Sequence, residues 1–372
     1  MNGALPGKVT VLGSGAGALA CSFELAQHGS RVTLADLPEF GTAVQAVAGT
    51  GQVTLKAPWH GLVTAPVAAT STDPANAVAG ADLVVVCVPA FGHDTFAELL
   101  APVLLDGQRV LWVGEGGGSL VLVDALRRAG RRPDVQIGET NSLPYGARVR
   151  GPGVVSASRK AGGTLVASLG ADGDLVDMAQ AIWSWMSPAE SVWETVLLNF
   201  NAIDHVPPII CNLGTVESRN GKMLLWGEGA SPGVARIIET LDAELFTLRQ
   251  ALGVRNTKRY ADYLVEQGFA PPGTPSFYEL LRASSFADST FQCGPDALSS
   301  RYITEDVPYA LVLFSSIGRE VGVATPTVDS LIHLTSIAVQ RDLFAEGRTL
   351  DQFGLAGRGR AGLMTAVREG WW

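Results

Sequence analysis

Residues Gly13-Ser14-Gly15-Ala16-Gly17-Ala18 lie between a β-branched run, Lys8–Leu12, and the start of a helical pattern. No other feature constrains the fold as strongly. A strand, a glycine-rich turn and a helix in direct succession open an α/β nucleotide-binding fold, and G-x-G-x-x-A is an accepted variant of the dinucleotide fingerprint. Each position answers a physical demand. Gly13 makes the tight turn, Gly15 lets the backbone approach a pyrophosphate, and Ala18 permits close packing of helix on strand. Ala16 opens the helix, whose first N–H groups and dipole favour phosphate. In a chain with 43 glycines the motif gains its weight from this position between strand and helix. Asp36 ends the next strand, Arg31–Leu37, about twenty residues past the turn, where an acid accepts from the adenosine ribose. A carboxylate there repels a 2′-phosphate and no Lys or Arg follows closely. NAD(H) is therefore favoured, with NADP(H) left open. Pro89, ending the fourth strand, fits a loop running over the cofactor.

The same rhythm continues. Leu19, Phe23 and Ala26 fall on one face of the first helix, which His28 and Gly29 close. Ala81–Pro89 is a near-continuous apolar run, the mark of a parallel strand covered on both faces. Gln108–Gly114, Gln136–Glu139, Val154–Ser156 and Gly163–Leu169 read as further strands, and glycines 116, 117 and 118 as a flexible loop. The character changes near residue 187. Ser187-Pro188-Ala189-Glu190 reads as a capping box, and Ser191-Val192-Trp193-Glu194 as a second. Helical patterns then dominate, with Ile237–Leu252 and Val307–Val321 the clearest, and Pro207-Pro208 is expected to interrupt the first long helix. The expectation is an α/β Rossmann domain with a doubly wound parallel sheet over 1–187 and an all-α domain over 188–372.

Bulk properties exclude several functions. The 372 residues carry a net charge of −9, which argues against nucleic acid as a partner. One or two local arginines still suffice to bind a carboxylate. The four cysteines have neither metal-ligand nor CxxC spacing, so a reducing, cytoplasmic setting without disulfides is expected. The start lacks the basic-then-apolar pattern of a secretory leader. The longest apolar run, Leu83–Ala90, is too short to span a bilayer. The helices of the second half are expected to leave an apolar face for a partner, giving a homo-oligomer, most simply a homodimer, with Trp371 and Trp372 as candidates for that face.

Further segments carry a family resemblance. Asn199-Phe200-Asn201-Ala202-Ile203-Asp204-His205 resembles the NxNAxxH segment of opine dehydrogenases, the octopine/nopaline dehydrogenase family. Arg301-Tyr302-Ile303-Thr304-Glu305-Asp306-Val307 resembles the family's RYxxEDV, Ile137-Gly138-Glu139-Thr140 its IGET, and Val88-Pro89-Ala90-Phe91-Gly92-His93 its VPAxxH. Such enzymes join an α-keto acid and an amino acid by reductive amination. The resemblance implies that His205 is the acid/base and Asp306 its partner. It implies that Arg301 binds the keto acid carboxylate, and that Glu139, Thr140 and Asn201 face the substrate. The pairing is sound chemistry, since a His titrates near neutrality and a carboxylate on its second nitrogen fixes the tautomer. The bland readings are a packed His, a helix N-terminal acid at Asp306, a surface salt bridge at Arg301 and a helix cap at Asn201. The chain also departs from the family pattern. Val206 intervenes before Pro207, and Val113-Gly114-Glu115-Gly116 stands where relatives often show an Asn-Pro-Gly-like turn; Glu115 there would favour a cationic amine.

Two other functions fit the same plan. One is reduction of a 2-keto acid to a hydroxy acid, as in ketopantoate reductases, although Lys222 and Lys258 lack a matching motif for the lysine those enzymes use. The other is a nucleotide sensor that binds NADH without turnover. Amine dependence separates the first from an opine enzyme, and steady turnover removes the second.

Overall fold

The computed structural model describes residues 5–160, 163–170, 173–294 and 296–370, so Trp371 and Trp372 lie outside the described residues. The chain forms two compact units, one running to Thr195 and resuming at Val367, the other Val196–Ala366.

The first unit contains β1 (Lys8–Leu12), α1 (Ala16–Gln27), β2 (Arg31–Ala35), α2 (Gly41–Ala48), β3 (Gln52–Ala57), β4 (Gly61–Pro66), β5 (Ala69–Ser71), α3 (Pro74–Ala77) and β6 (Leu83–Val86). It continues with α4 (His93–Leu100), β7 (Arg109–Trp112), α5 (Gly118–Arg128), β8 (Gln136–Thr140), β9 (Tyr145–Gly151), β10 (Val154–Arg159), β11 (Leu165–Ser168), α6 (Leu175–Ile182) and β12 (Ser187–Pro188). The main sheet runs β12-β11-β8-β7-β6-β1-β2-β5. Apolar β1 is an inner strand: Val11 pairs with Leu34 on one side and Val85 on the other, both in parallel. All four residues of β6 are buried, as its unbroken apolar run requires. The strand order reverses between β1 and β6, and in such sheets ligands bind in the crevice beyond the strand ends at that switch point.

The structure differs from the expectation in three places. The sheet is parallel only as far as β8, because β11 pairs with β8 antiparallel, Val166 opposite Thr140. Ser187-Pro188 starts no helix. It is an edge strand on β11, where the missing proline N–H costs no ladder bond. The helix starts instead at the second candidate: α7 (Val192–Leu197) follows Ser191, and Glu194 accepts from Glu190 N, one residue before the expected cap, at 2.7 Å. A second sheet, β4-β3-β10-β9, was not anticipated beyond β10. It packs on α1, with Phe23, Val53, Leu55, Tyr145 and Val155 in one core. Residues Ala18–Leu25 are consequently buried all round, not on one face.

The second unit contains α8 (Asn201–Ile210), α9 (Leu213–Ser218), α10 (Pro232–Ala251), α11 (Tyr260–Glu266), α12 (Phe277–Ala283), α13 (Arg301–Thr304), α14 (Val312–Val321) and α15 (Pro326–Val339). Among its described residues the β pairing is one bridge, Leu224 to Gln292. Ser231 caps α10 through Val234 N and Pro232 takes the first position. Two expectations are corrected. Pro207 and Pro208 lie inside α8 and do not break it; packing against α10, α13 and α15 holds the helix through both. Val307–Leu311 is a widened π-helical turn that precedes α14.

Candidate functional site

The first unit carries a cradle for a nucleotide. Gly13 has φ +103°, and a Cβ there would lie 2.4 Å from the Cys87 carbonyl oxygen, so only glycine fits. Gly17 is less strictly constrained, since a Cβ there would meet only side-chain ends, Cys87 Sγ at 2.7 Å and Leu143 Cδ1 at 2.8 Å. The sequence had assigned close packing to Ala18 alone, which is buried as expected. Gly15 is different. Its backbone is extended at φ −75°, and a Cβ would meet nothing within 4 Å. Protein packing therefore demands no glycine at 15, whereas a phosphate closing on the backbone does. Ala16 is the first residue of α1 and half-buried.

Asp36 follows β2 with its side chain buried, Oδ2 accepting from Ser14 Oγ at 2.6 Å and Oδ1 from Leu37 N at 2.8 Å. Ser14, which the sequence reading missed, thus ties the turn to this buried acid; its place between the two glycines was the available signal. Pro89 heads a short turn after β6, with its carbonyl accepting from Gly92 N at 2.8 Å. His93 packs edge-on to Trp112, ring centroids 4.8 Å apart. These groups fit a dinucleotide: a glycine cradle, a helix N-terminus and a placed carboxylate.

Glu139 and Thr140 end β8. Glu139 is buried, with Oε2 accepting from Ser119 N (3.1 Å) and Ser119 Oγ (2.7 Å), and Oε1 from Thr195 Oγ1 (2.9 Å). Thr140 Oγ1 accepts from Gly114 N at 3.0 Å and donates to the Ser142 carbonyl at 2.8 Å. Both brace the 114–118 turn. That turn is buried at Gly116–Gly118 and is no loose loop: Gly117 has φ +71°, and a Cβ on Gly118 would strike the Trp112 ring at 2.5 Å. Glu115 is half-buried on it.

The second unit brings His205 and Asp306 together across 101 residues of sequence, Nδ1 to Oδ2 at 2.8 Å. His205 projects from the middle of α8, and Asp306 sits where α13 gives way to the π turn, a wide turn that re-aims side chains. Burial, then neighbouring Glu305, pushes the Asp306 carboxyl well above the ordinary range, and Arg301 opposes this. Arg301 opens α13 with its side chain mostly exposed, Nε donating to buried Glu305 at 2.6 Å. Asn201 is the first residue of α8, its N–H donating to Asn199 Oδ1 at 3.0 Å. Three neighbours escaped the sequence reading. Tyr302 stacks on the imidazole at 3.7 Å and 18°. Asp204 Oδ1 lies 3.5 Å from His205 Nε2, and Tyr260 donates to Asp204 Oδ2 at 2.9 Å.

Comparison with known proteins follows the same division. Residues 188–339 match the family described as NAD/NADP octopine/nopaline dehydrogenase, alpha-helical domain, and residues 9–169 match ketopantoate reductase PanE/ApbA. The chain is 31% identical over 360 residues to an opine dehydrogenase of Arthrobacter sp. (strain 1C), covering 96% of this chain and 98% of that protein. It shares its fold with octopine dehydrogenase solved with NADH and L-arginine, TM-score 0.82 at 18% identity over 98% of this chain and 99% of that one. Yersinopine dehydrogenase with NADP+ bound gives TM-score 0.78 at 16% identity, covering 98% of each chain.

Proposed function

Because the chain belongs to the opine dehydrogenase family, we propose that it joins an α-keto acid such as pyruvate to the amine of an amino acid, giving a secondary amine dicarboxylate. It is an NAD(P)-dependent oxidoreductase acting on CH–NH groups. The observation that carries the residue assignment is the His205–Asp306 pair, held at 2.8 Å, both residues lying within the stretch 188–339 that the family match covers.

Asp306 engages Nδ1, so Nε2 is the nitrogen that exchanges protons. His205 accepts a proton from the substrate ammonium, and the neutral amine attacks the keto carbon. It then returns a proton as the former carbonyl oxygen leaves as water, which yields the imine. NAD(P)H, when bound, would supply the hydride for the imine carbon. Tyr302 holds the imidazole plane by stacking. Arg301 takes the keto acid carboxylate through its planar fork. Asn201 faces the substrate at the head of α8. Glu139 and Thr140 serve the substrate through the turn they brace. Gly13, Gly15, Ala16, Ala18, Asp36 and Pro89 hold the nucleotide, and the carboxylate of Asp36 favours NADH over NADPH.

The chain is further proposed to be cytoplasmic and a homodimer. Its cysteines are free, no described helix is long and apolar enough to cross a membrane, and α15 exposes Leu334 and Ile337. Equilibrium sedimentation reads the oligomeric state.

The functional test mixes protein, NADH and pyruvate, adds amino acids in pools, and follows NADH absorbance. NADH loss that needs both substrates is expected. The match of residues 9–169 to ketopantoate reductase supports a second reading, keto acid reduction, which would give loss without amine. Its usual lysine has no good candidate, since Lys258 is committed to Glu266 at 2.6 Å and Lys222 is exposed.

A further inference from the structure

Two carboxylates flank the His205 ring. Asp306 Oδ2 is 2.8 Å from Nδ1, and Asp204 Oδ1 is 3.5 Å from Nε2. Asp204 directly precedes His205 on α8, and its other oxygen accepts from Tyr260 OH at 2.9 Å. Tyr260 is buried among Phe200, Tyr263 and Phe277. Burial and Asp204 push its phenol well above the ordinary value, so it remains a donor. A donor fixed on Oδ2 fixes the carboxylate plane, and with it the place of Oδ1 beside Nε2.

We propose that Asp204, held by Tyr260, is a positioning residue for His205, supplying a negative charge that steadies the imidazolium whenever Nε2 carries a proton. The proposal rests on the function argued above. A separation of 3.5 Å is too long for a good hydrogen bond, so Asp204 does not tie Nε2 up. It is still close enough for one charge to act on another. Asp204 therefore favours arrival of the proton from the amine without blocking its later departure. The groups facing this set include Asp306 and the Tyr302 and Trp226 rings on His205, Glu305 and Arg301 on Asp306, and Tyr263 and Asp242 on Tyr260. All of them remain in Asp204→Asn and Tyr260→Phe, so a difference belongs to Asp204.

The experiment is an NMR titration of the whole chain labelled with 15N-histidine, with His205→Ala assigning the His205 signal. In Asp204→Asn the His205 midpoint moves to lower pH by about one unit, as expected for loss of an adjacent opposite charge. In Tyr260→Phe it moves the same way by less. The kinetic pH limb belonging to His205 shifts in parallel, which a merely structural aspartate would not cause. A folded Asp204→Asn protein with an unmoved midpoint overturns the proposal. Should that variant fail to fold, an unmoved midpoint in Tyr260→Phe overturns it equally. Absence of turnover in the wild-type chain counts against the functional reading alone, because the midpoint is measured without substrate.

Discussion

At the scale of single residues, the proposed acid/base role of His205 makes a direct prediction: His205→Ala is expected to lower turnover by about 10²–10⁴-fold. Initial rates at saturating NADH, pyruvate and amine measure it, and a loss under fivefold would reassign His205 to packing. Asp306 gives a subtler result. Its carboxyl is raised well above 3.8 by burial, so the folded chain binds that proton more tightly than the unfolded chain. Such a group contributes stability below the unfolded value, and the contribution is lost as pH rises through the folded one. Asp306→Asn removes the loss. Relative to wild type, the variant should gain ground in denaturant melts as pH climbs from about 4 toward 8, while turnover falls. If it loses ground instead, the ion pair with His205 outweighs the burial cost. The contact between His205 and Asp306 was legible because the residues flanking each resemble a known pattern. Asp204, Tyr260 and Tyr302 were not, since only folding brings α11 and α13 against α8.

At the scale of the element, the two glycines of the first turn should separate folding from binding. Gly13→Ala puts a Cβ against the Cys87 carbonyl at positive φ, and a cost of roughly 1–3 kcal/mol or more is expected. Gly15→Ala meets no atom and keeps an allowed φ. The apo protein should therefore be more stable by about 0.4–1 kcal/mol, because alanine restricts the unfolded chain. NADH affinity should nonetheless drop at least tenfold, read by fluorescence titration. Unchanged affinity would mean that the pyrophosphate does not approach this turn. The strand–turn–helix opening was legible because each residue satisfies a local demand. The second sheet was not: β10 joins β3 from far along the chain, Val155 opposite Leu55, and no local signal specifies that partner. The continuity of α8 through Pro207 and Pro208 was missed for a related reason, since propensity favours a break and the surrounding packing overrides it.

At the scale of the whole molecule, the proposed nucleotide cradle and the proposed catalytic pair belong to different compact units, Gly13, Gly15 and Asp36 to the first, His205 and Asp306 to the second. Binding and chemistry should then be separable by mutation. A ligand that binds only the folded chain stabilises it by RT ln(1 + [L]/Kd), about 2.7 kcal/mol at a hundredfold excess over Kd. With NADH held at a hundred times the wild-type Kd, wild type and His205→Ala should gain this same increment, although the variant no longer turns over. Gly15→Ala, tenfold weaker or worse, should gain clearly less at that concentration while keeping an intact His205–Asp306 pair. Denaturant melts with and without NADH measure all three. A His205→Ala protein that loses the increment would show that the histidine contributes to nucleotide binding itself. Its kinetic defect would then have to be divided between affinity and proton transfer before any of it could be assigned to chemistry.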